Sequence, residues 1–206
     1  MIATGFWDLP GTKLVASELD DFLSREGTSI RLLIGSDPAV RRQYFDKKFP
    51  DDAIKADIFG LQFNEEYQPL IDLLFKYCKA NPDDSKLKIR IYKRDSEGNA
   101  QFLHSKCYVF TDNADEAVGI IGSSNFTQKG LEGNAELNYV ETDARIVNFI
   151  PSQGSNLLGH TYWFNEMWQQ SEDWNGEFIN GILSKAPVAI DNPNNPDNQS
   201  YVDKQD

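Results

Sequence analysis

The stretch "FLHSKCYVF", residues 102–110, decides how the chain is read. Apolar and polar residues alternate along it, the period-2 pattern of a half-buried strand. Side chains at i and i+2 of a strand point the same way. His104 and Lys106 are therefore predicted on one face, and Leu103, Ser105, Cys107 and Val109 on the other. A satisfied histidine beside a snorkelling lysine is the ordinary explanation of such a pair. The surrounding sequence points to a different one.

Immediately upstream, "LKIRIYK" (87–93) reads as a strand and "EGN" (97–99) as a turn, which predicts a hairpin with 102–110. Further out, "IATGFW" (2–7) and "IRLLIG" (30–35) read as strands. "TKLVASELDDFLSREG" (12–27) reads as one helix that stops at Gly27. "SDPAVRRQYFDKKF" (36–49) fits a helix capped by Ser36, with Pro38 in its first turn. "YQPLIDLLFKYCKA" (67–80) carries Leu70, Leu73, Leu74, Tyr77 and Cys78 on one stripe and ends before "NPDD". Downstream, "AVGIIGSS" (117–124) and "AELNYVET" (135–142) read as strands. The last third is helical, with one stripe of Trp163, Phe164, Met167 and Trp168 and another of Trp174, Phe178 and Ile182. Early alternation of strands and helices followed by hairpins predicts an α/β fold. Its centre is a mixed, largely central β-sheet flanked by helices on both faces. The domain is expected over residues 1–186. Residues 187–206, polar with several prolines and no periodicity, are expected to be a linker or disordered tail.

The 206 residues suffice for one domain with a full core. No apolar run reaches the length of a membrane span, and the start lacks the features of a signal peptide. Cys78 and Cys107 fit reduced core thiols, so a cytoplasmic location is expected. Two cysteines and two histidines at these spacings do not make a metal site. The formal net charge is −12, of which residues 191–206 carry −3 and the rest −9. That excludes a protein coating nucleic acid through an overall basic surface. The first strand starts at once and the last segment is linker-like, which suggests a domain taken from a longer chain.

Two features after the lysine change the reading of His104 and Lys106. The strand "AVGIIG" runs into "GSSNFT" (122–127), where Gly122 permits close backbone approach and Ser123, Ser124 and Asn125 offer small hydrogen-bonding groups. Such groups suit tetrahedral oxyanions. Glu136 then opens the next strand, where a carboxylate can hold an imidazole N–H and fix its tautomer. His160, in "GHTYW", has no comparable company and reads as an ordinary histidine at a helix start.

"HSK" at 104–106 followed by "GSSN" at 122–125 resembles the phospholipase D superfamily motif, H-x-K-x4-D-x6-G-S-x-N. The string continuing to "ELNYVE", with "ATGFW" and "YWFNEMWQQSED", resembles the nuclease branch found in helicases and restriction systems, over most of residues 2–185. The chain departs from the pattern at the aspartate, where Thr111 stands with Asp112 beside it, and in a spacer about four residues longer. The resemblance implies an α-β-α sandwich and metal-independent cleavage of DNA through a covalent phosphohistidine, with no cofactor. It makes His104 the nucleophile, with Lys106, Asn125 and Ser123 on the phosphoryl oxygens and Glu136 orienting the imidazole. Since this chain has one motif and the family site pairs two, it also implies a homodimer sharing one active site.

Ser124, Lys129, Arg90 and Lys93 are candidate substrate contacts. Arg90 belongs to the basic strand "KLKIRIYKR", and Arg41, Arg42, Lys47 and Lys48 extend the positive charge. A fused or associated helicase would supply the affinity that an acidic domain lacks. Two rivals stand beside the nuclease: a catalytically weak domain that targets a helicase to DNA, and a lipid phosphodiesterase of the same superfamily. No amphipathic basic helix supports a membrane partner.

Overall fold

The computed structural model describes residues 1–35, 65–93, 102–112, 116–153, 155, 157–186, 189, 192 and 195. The helix expected over 36–49, the turn at 97–99 and the basic residues Arg41, Arg42, Lys47, Lys48 and Arg94 lie outside them.

Among the described residues seven strands form one mixed sheet. They are β1 (Ile2–Thr4), β2 (Ile30–Gly35), β3 (Leu87–Tyr92), β4 (Lys106–Thr111), β5 (Ala117–Gly122), β6 (Asn138–Glu141) and β7 (Glu172–Asp173), in the order β6-β5-β4-β1-β2-β3-β7. The centre, β1-β2-β3, is parallel, with Ala3 opposite Leu33 and Ile89 opposite Leu32. β4 joins β1 antiparallel, and β5 and β6 continue as an antiparallel meander. The hairpin expected between 87–93 and 102–110 does not form. β3 pairs with β2 and β7, while β4 crosses to the far side of β1. Burial on both faces draws β1, β2 and β3 together as parallel neighbours, and that decides the order over proximity in the chain.

The helices are α1 (Leu9–Leu14), α2 (Ala16–Ser24), α3 (Gln68–Tyr77), α4 (Ala144–Val147) and α5 (His160–Gln169). The single helix expected over 12–27 is two, broken at Val15, whose φ of −120° and ψ of 16° are not helical. Asp8 caps α1 by accepting from the Gly11 N–H at 2.7 Å, with Pro10 in the first turn.

Alternation along the strands gives the sheet two apolar faces. Ile30, Leu32, Ile34, Leu87, Ile89 and Ile91 pack with Leu23 of α2, with α3, and with the C-terminal residues Phe178, Ile179 and Ile182. Ala3, Leu33, Tyr92, Cys107, Val109 and Ala117 pack on the other face with Val147 of α4 and Phe164 of α5. Each fully buried Leu, Ile or Phe contributes about 1.5–3 kcal/mol. This is the α/β sandwich, a mixed central sheet with helices on both faces. Both thiols are buried, and burial pushes Cys78 up to about 12 and Cys107 up to about 11. In the segment read as a tail, Ala189, Asn192 and Asn195 are buried. Asn195 Nδ2 donates to the carbonyls of Ser184 and Ala189, both at 2.8 Å. No helix among the described residues is long and apolar enough to cross a membrane.

Candidate active site

The ends of β1 and β2 meet the "HSK" loop. A Cβ on Gly35 would stand 2.4 Å from the Leu103 carbonyl oxygen and 3.2 Å from the Gly5 Cα, so only glycine allows this approach. Residues 102–105 are not strand, and β4 begins at Lys106. The strict alternation expected over 102–110 is therefore replaced. His104 and Ser105 are exposed, and Lys106 and Cys107 are both buried. The Lys106 Nζ turns back and donates to the His104 carbonyl oxygen at 2.6 Å. Burial pulls its pKa below the ordinary lysine value, and Glu136 opposes that shift.

The imidazole of His104 lies at the end of an aromatic row. Its ring centroid is 5.5 Å from that of Phe102, which is 5.8 Å from that of Phe6. Among the described residues no side chain hydrogen-bonds this imidazole. Glu136 sits just before β6 and is turned toward Ser123 and Asn134. The Ser123 hydroxyl, the Asn134 amide at 3.1 Å and then the Lys106 charge hold its carboxyl below the usual carboxylate range. Glu136 thus serves Lys106 and Ser123, and among the described residues no hydrogen bond joins it to His104.

Asn125 is wired to β1. Its Oδ1 accepts from the Phe6 N–H at 3.1 Å and lies 3.3 Å from the Thr4 hydroxyl, which donates to the Phe6 carbonyl at 2.6 Å. Asn125 Nδ2 is left with no protein partner among the described residues, so its two donors are free for a ligand oxygen. Trp7 and Phe126 form a parallel bridge, and Asp8 Oδ1 accepts from the Gln128 N–H at 3.0 Å, so the loops after β1 and β5 run stitched together. Thr4 and the Phe6 N–H were not among the residues singled out from sequence. Their signal is a threonine in an otherwise apolar strand just before a glycine, in "IATGFW".

The other candidates divide. Ser124 is buried, with its hydroxyl accepting from Asn138 Nδ2 at 2.7 Å, so it braces the loop from inside. Lys129 is exposed at the start of the π-helical turn Lys129–Gly133 that follows "GSSN". Lys93 is paired with Glu172 at 2.8 Å. Arg90 lies under α5 and donates to the Trp168 carbonyl at 2.8 Å, away from the "HSK" and "GSSN" loops.

Beside the loops a groove of about 580 Å³ runs from Lys106 and Gly122 past Leu137 and Tyr139 to His160 and Trp163. The ring of His160 packs on Gly119, where a Cβ would lie 2.0 Å from Nδ1. That Nδ1 is buried with no hydrogen-bond partner among the described residues, and burial lowers the pKa of the ring.

The arrangement offers an exposed imidazole, a lysine, unpaired amide donors and a carboxylate at one end of the sheet. Comparison with known proteins agrees with it. None of the curated proteins matches the chain. A family model described as "Cardiolipin synthase, PLD-like domain" matches residues 2–153. That span is well over half of the sequence and holds both loops, and the chain belongs to the PLD-like domain family of the phospholipase D superfamily.

Proposed function

We propose that the chain is a metal-independent phosphodiesterase that cleaves DNA through a phosphohistidine on His104. The observation that carries this reading is the wiring of Asn125. Its Oδ1 is held by the Phe6 N–H, which leaves both Nδ2 donors without a protein partner among the described residues, on the loop that follows β5. Cleavage needs a nucleophile, an acid for the leaving alkoxide and cations on the phosphoryl oxygens. In the first step neutral His104 forms the P–N bond, the P–O bond breaks, and the alkoxide takes a proton from the partner subunit's His104. In the second step water attacks phosphorus, loses its proton to the partner subunit's His104, and the P–N bond breaks. Lys106, Asn125 and Ser123 of both subunits hold the non-bridging oxygens, and Lys129 meets the strand beyond them. Glu136 keeps Lys106 charged, and the orientation of His104 falls to the assembled dimer.

The surface next to the loops supports pairing with a second copy. β6 ends the sheet and pairs only with β5 among the described strands. Leu137 (83% exposed), Tyr139 and Val140 lie there, and exposed Leu158 lines the same groove as Leu137 and Tyr139. An apolar sheet edge of this kind invites pairing. Leu137 and Tyr139 also line the groove that starts at Lys106, so a mate docked here brings its own loops to the same place. A helicase, fused or associated, would supply the DNA affinity, the domain being residues 1–186.

A second reading, lipid phosphodiesterase, is favoured by one specific feature besides the family description. An apolar groove of about 610 Å³ runs between α2 and the sheet, from Ser124 and Asn138 past Ile120 and Phe22 to Ser29, with room for an acyl chain.

The test is cleavage of single- and double-stranded DNA at low salt in excess EDTA, wild type against His104→Ala, with phosphatidylglycerol vesicles in parallel. DNA cleavage by wild type alone is the expected result. Equal cleavage by both proteins removes His104 from the mechanism. Hydrolysis of lipid alone selects the second reading. Salt-sensitive DNA binding without cleavage makes the chain a targeting domain.

A further inference from the structure

We propose that Arg31, Lys88 and Arg90 form a second oxyanion site, separate from the candidate active site, that takes a phosphate group. Arg31 and Lys88 are register partners on the adjacent parallel strands β2 and β3, and Arg90 follows Lys88 by two residues. All three therefore stand on one face of the sheet. Neighbouring strands are about 4.8 Å apart and alternate residues about 6.6 Å apart, so the three Cα atoms make a tight triangle.

Two guanidinium groups of this triangle share one aromatic floor. The Arg31 Cζ is 5.0 Å from the Phe164 ring centroid and 5.5 Å from that of Trp168, and the Arg90 Cζ is 5.1 Å from the Trp168 ring. Phe164 and Trp168 are themselves stacked, 5.7 Å apart with planes 21° apart. Arg31 spends one nitrogen on the Met1 Sδ at 2.9 Å, and Arg90 spends one on the Trp168 carbonyl at 2.8 Å. A guanidinium has five N–H donors, so most of each fork remains open.

No carboxylate among the described residues lies within ion-pair distance of any of the three. The acidic register partner of Arg90, Asp173, accepts instead from the Asn175 N–H at 3.3 Å. In a chain with 32 acidic and 20 basic residues, three neighbouring cations without a carboxylate run against composition. Arg31 is half-buried, and burial followed by the Arg90 charge makes its own charged form harder to hold. A dianion accepting from both forks relieves the repulsion and the desolvation together, and bidentate pairing with arginine suits phosphate. The site is distinct from the catalytic loops. Arg31 lies four residues before Gly35 on β2, roughly 13 Å down the strand from the end that touches Leu103.

The phosphate can come from solution or from a nucleic-acid backbone, and one experiment separates the two. The Nε–Hε resonances of Arg31 and Arg90 in the full chain are followed while inorganic phosphate is added, and in a second series a short oligonucleotide without terminal phosphate. The expected result is a saturable shift of the Arg31 signal that persists in Lys106→Ala and weakens at least tenfold in Lys88→Gln, a variant of a partly exposed side chain. Saturation with inorganic phosphate assigns a free or terminal phosphate, and saturation with the oligonucleotide a backbone phosphate. No shift in either series, or an equal shift with chloride at the same ionic strength, overturns the site. None of these outcomes depends on whether the chain cleaves DNA.

Discussion

Lys106 donates its Nζ to the carbonyl oxygen of His104 at 2.6 Å, so the lysine clamps the loop that presents the histidine. The cation holds the backbone of the loop that carries the proposed nucleophile. It does so while buried, which disfavours its charge.

Replacing that lysine should separate stability from activity. Lys106→Met removes a buried cation and keeps most of the volume. Its melting temperature at neutral pH is expected to equal or exceed that of the wild type, while cleavage falls by roughly 10²–10³. The folded-state pKa of Lys106 is lowered, so the unfolded chain binds more protons as pH approaches the ordinary lysine value. Wild-type stability should therefore rise with pH through that alkaline window, and Lys106→Met should lack this rise. Thermal melts across the pH series check both.

Asn125 should tolerate one substitution in folding but none in catalysis. Asn125→Asp keeps an acceptor for the Phe6 N–H and replaces the Nδ2 donors with negative charge. It should fold with near wild-type stability and lose phosphate binding. Asn125→Ala orphans the Phe6 N–H, at a cost of about 1–3 kcal/mol. Denaturant titration and phosphate binding of the two variants, taken together, distinguish these effects.

His160 and Gly119 should be coupled. Gly119→Ala places a methyl group 2.0 Å from His160 Nδ1 and is expected to destabilise by about 1–3 kcal/mol. His160→Ala should relieve much of that loss, which a double-mutant cycle measures. Burial lowers the folded pKa of His160 below its value in the unfolded chain. Its stabilising contribution is therefore full above that unfolded value and is lost as pH falls through the folded one. His160→Ala should flatten the stability profile below pH about 6.5.

The β6 edge gives a prediction about assembly. Leu137→Lys puts a charge on an 83% exposed position without touching the core. The wild type is expected to sediment as a dimer, and Leu137→Lys as a folded monomer with little cleavage activity. Sedimentation velocity over a concentration series decides it.

The individual strands were legible because their apolar runs are bounded by turn residues, as "IRLLIG" and "AVGIIG" show. Their order was not. Nothing local in 102–110 says that its neighbour is β1, a hundred residues upstream, and turn chemistry pointed to β3 instead. The loops around His104 and Asn125 could be found because histidine, lysine and asparagine stand out at those spacings. Their supports were hidden, since Thr4 acts through one hydroxyl and Phe6 through a backbone N–H that any residue carries. Arg90 reads from sequence as a candidate substrate contact because a sequence does not reveal which helix will lie across a strand, and here it is α5 with Trp168.

The bond from the Phe6 N–H to Asn125 spans 119 residues of chain. Closing so long a loop is slow and is rewarded only once the whole sheet is in register. The amide donors of Asn125 therefore acquire their aim in the same event that seats β1 between β2 and β4. A chain still being synthesised, or one partly unravelled, carries every residue of the motif and none of its geometry. For a protein proposed to cut DNA, that makes complete folding a safety catch, which leaves immature copies harmless to the cell that makes them.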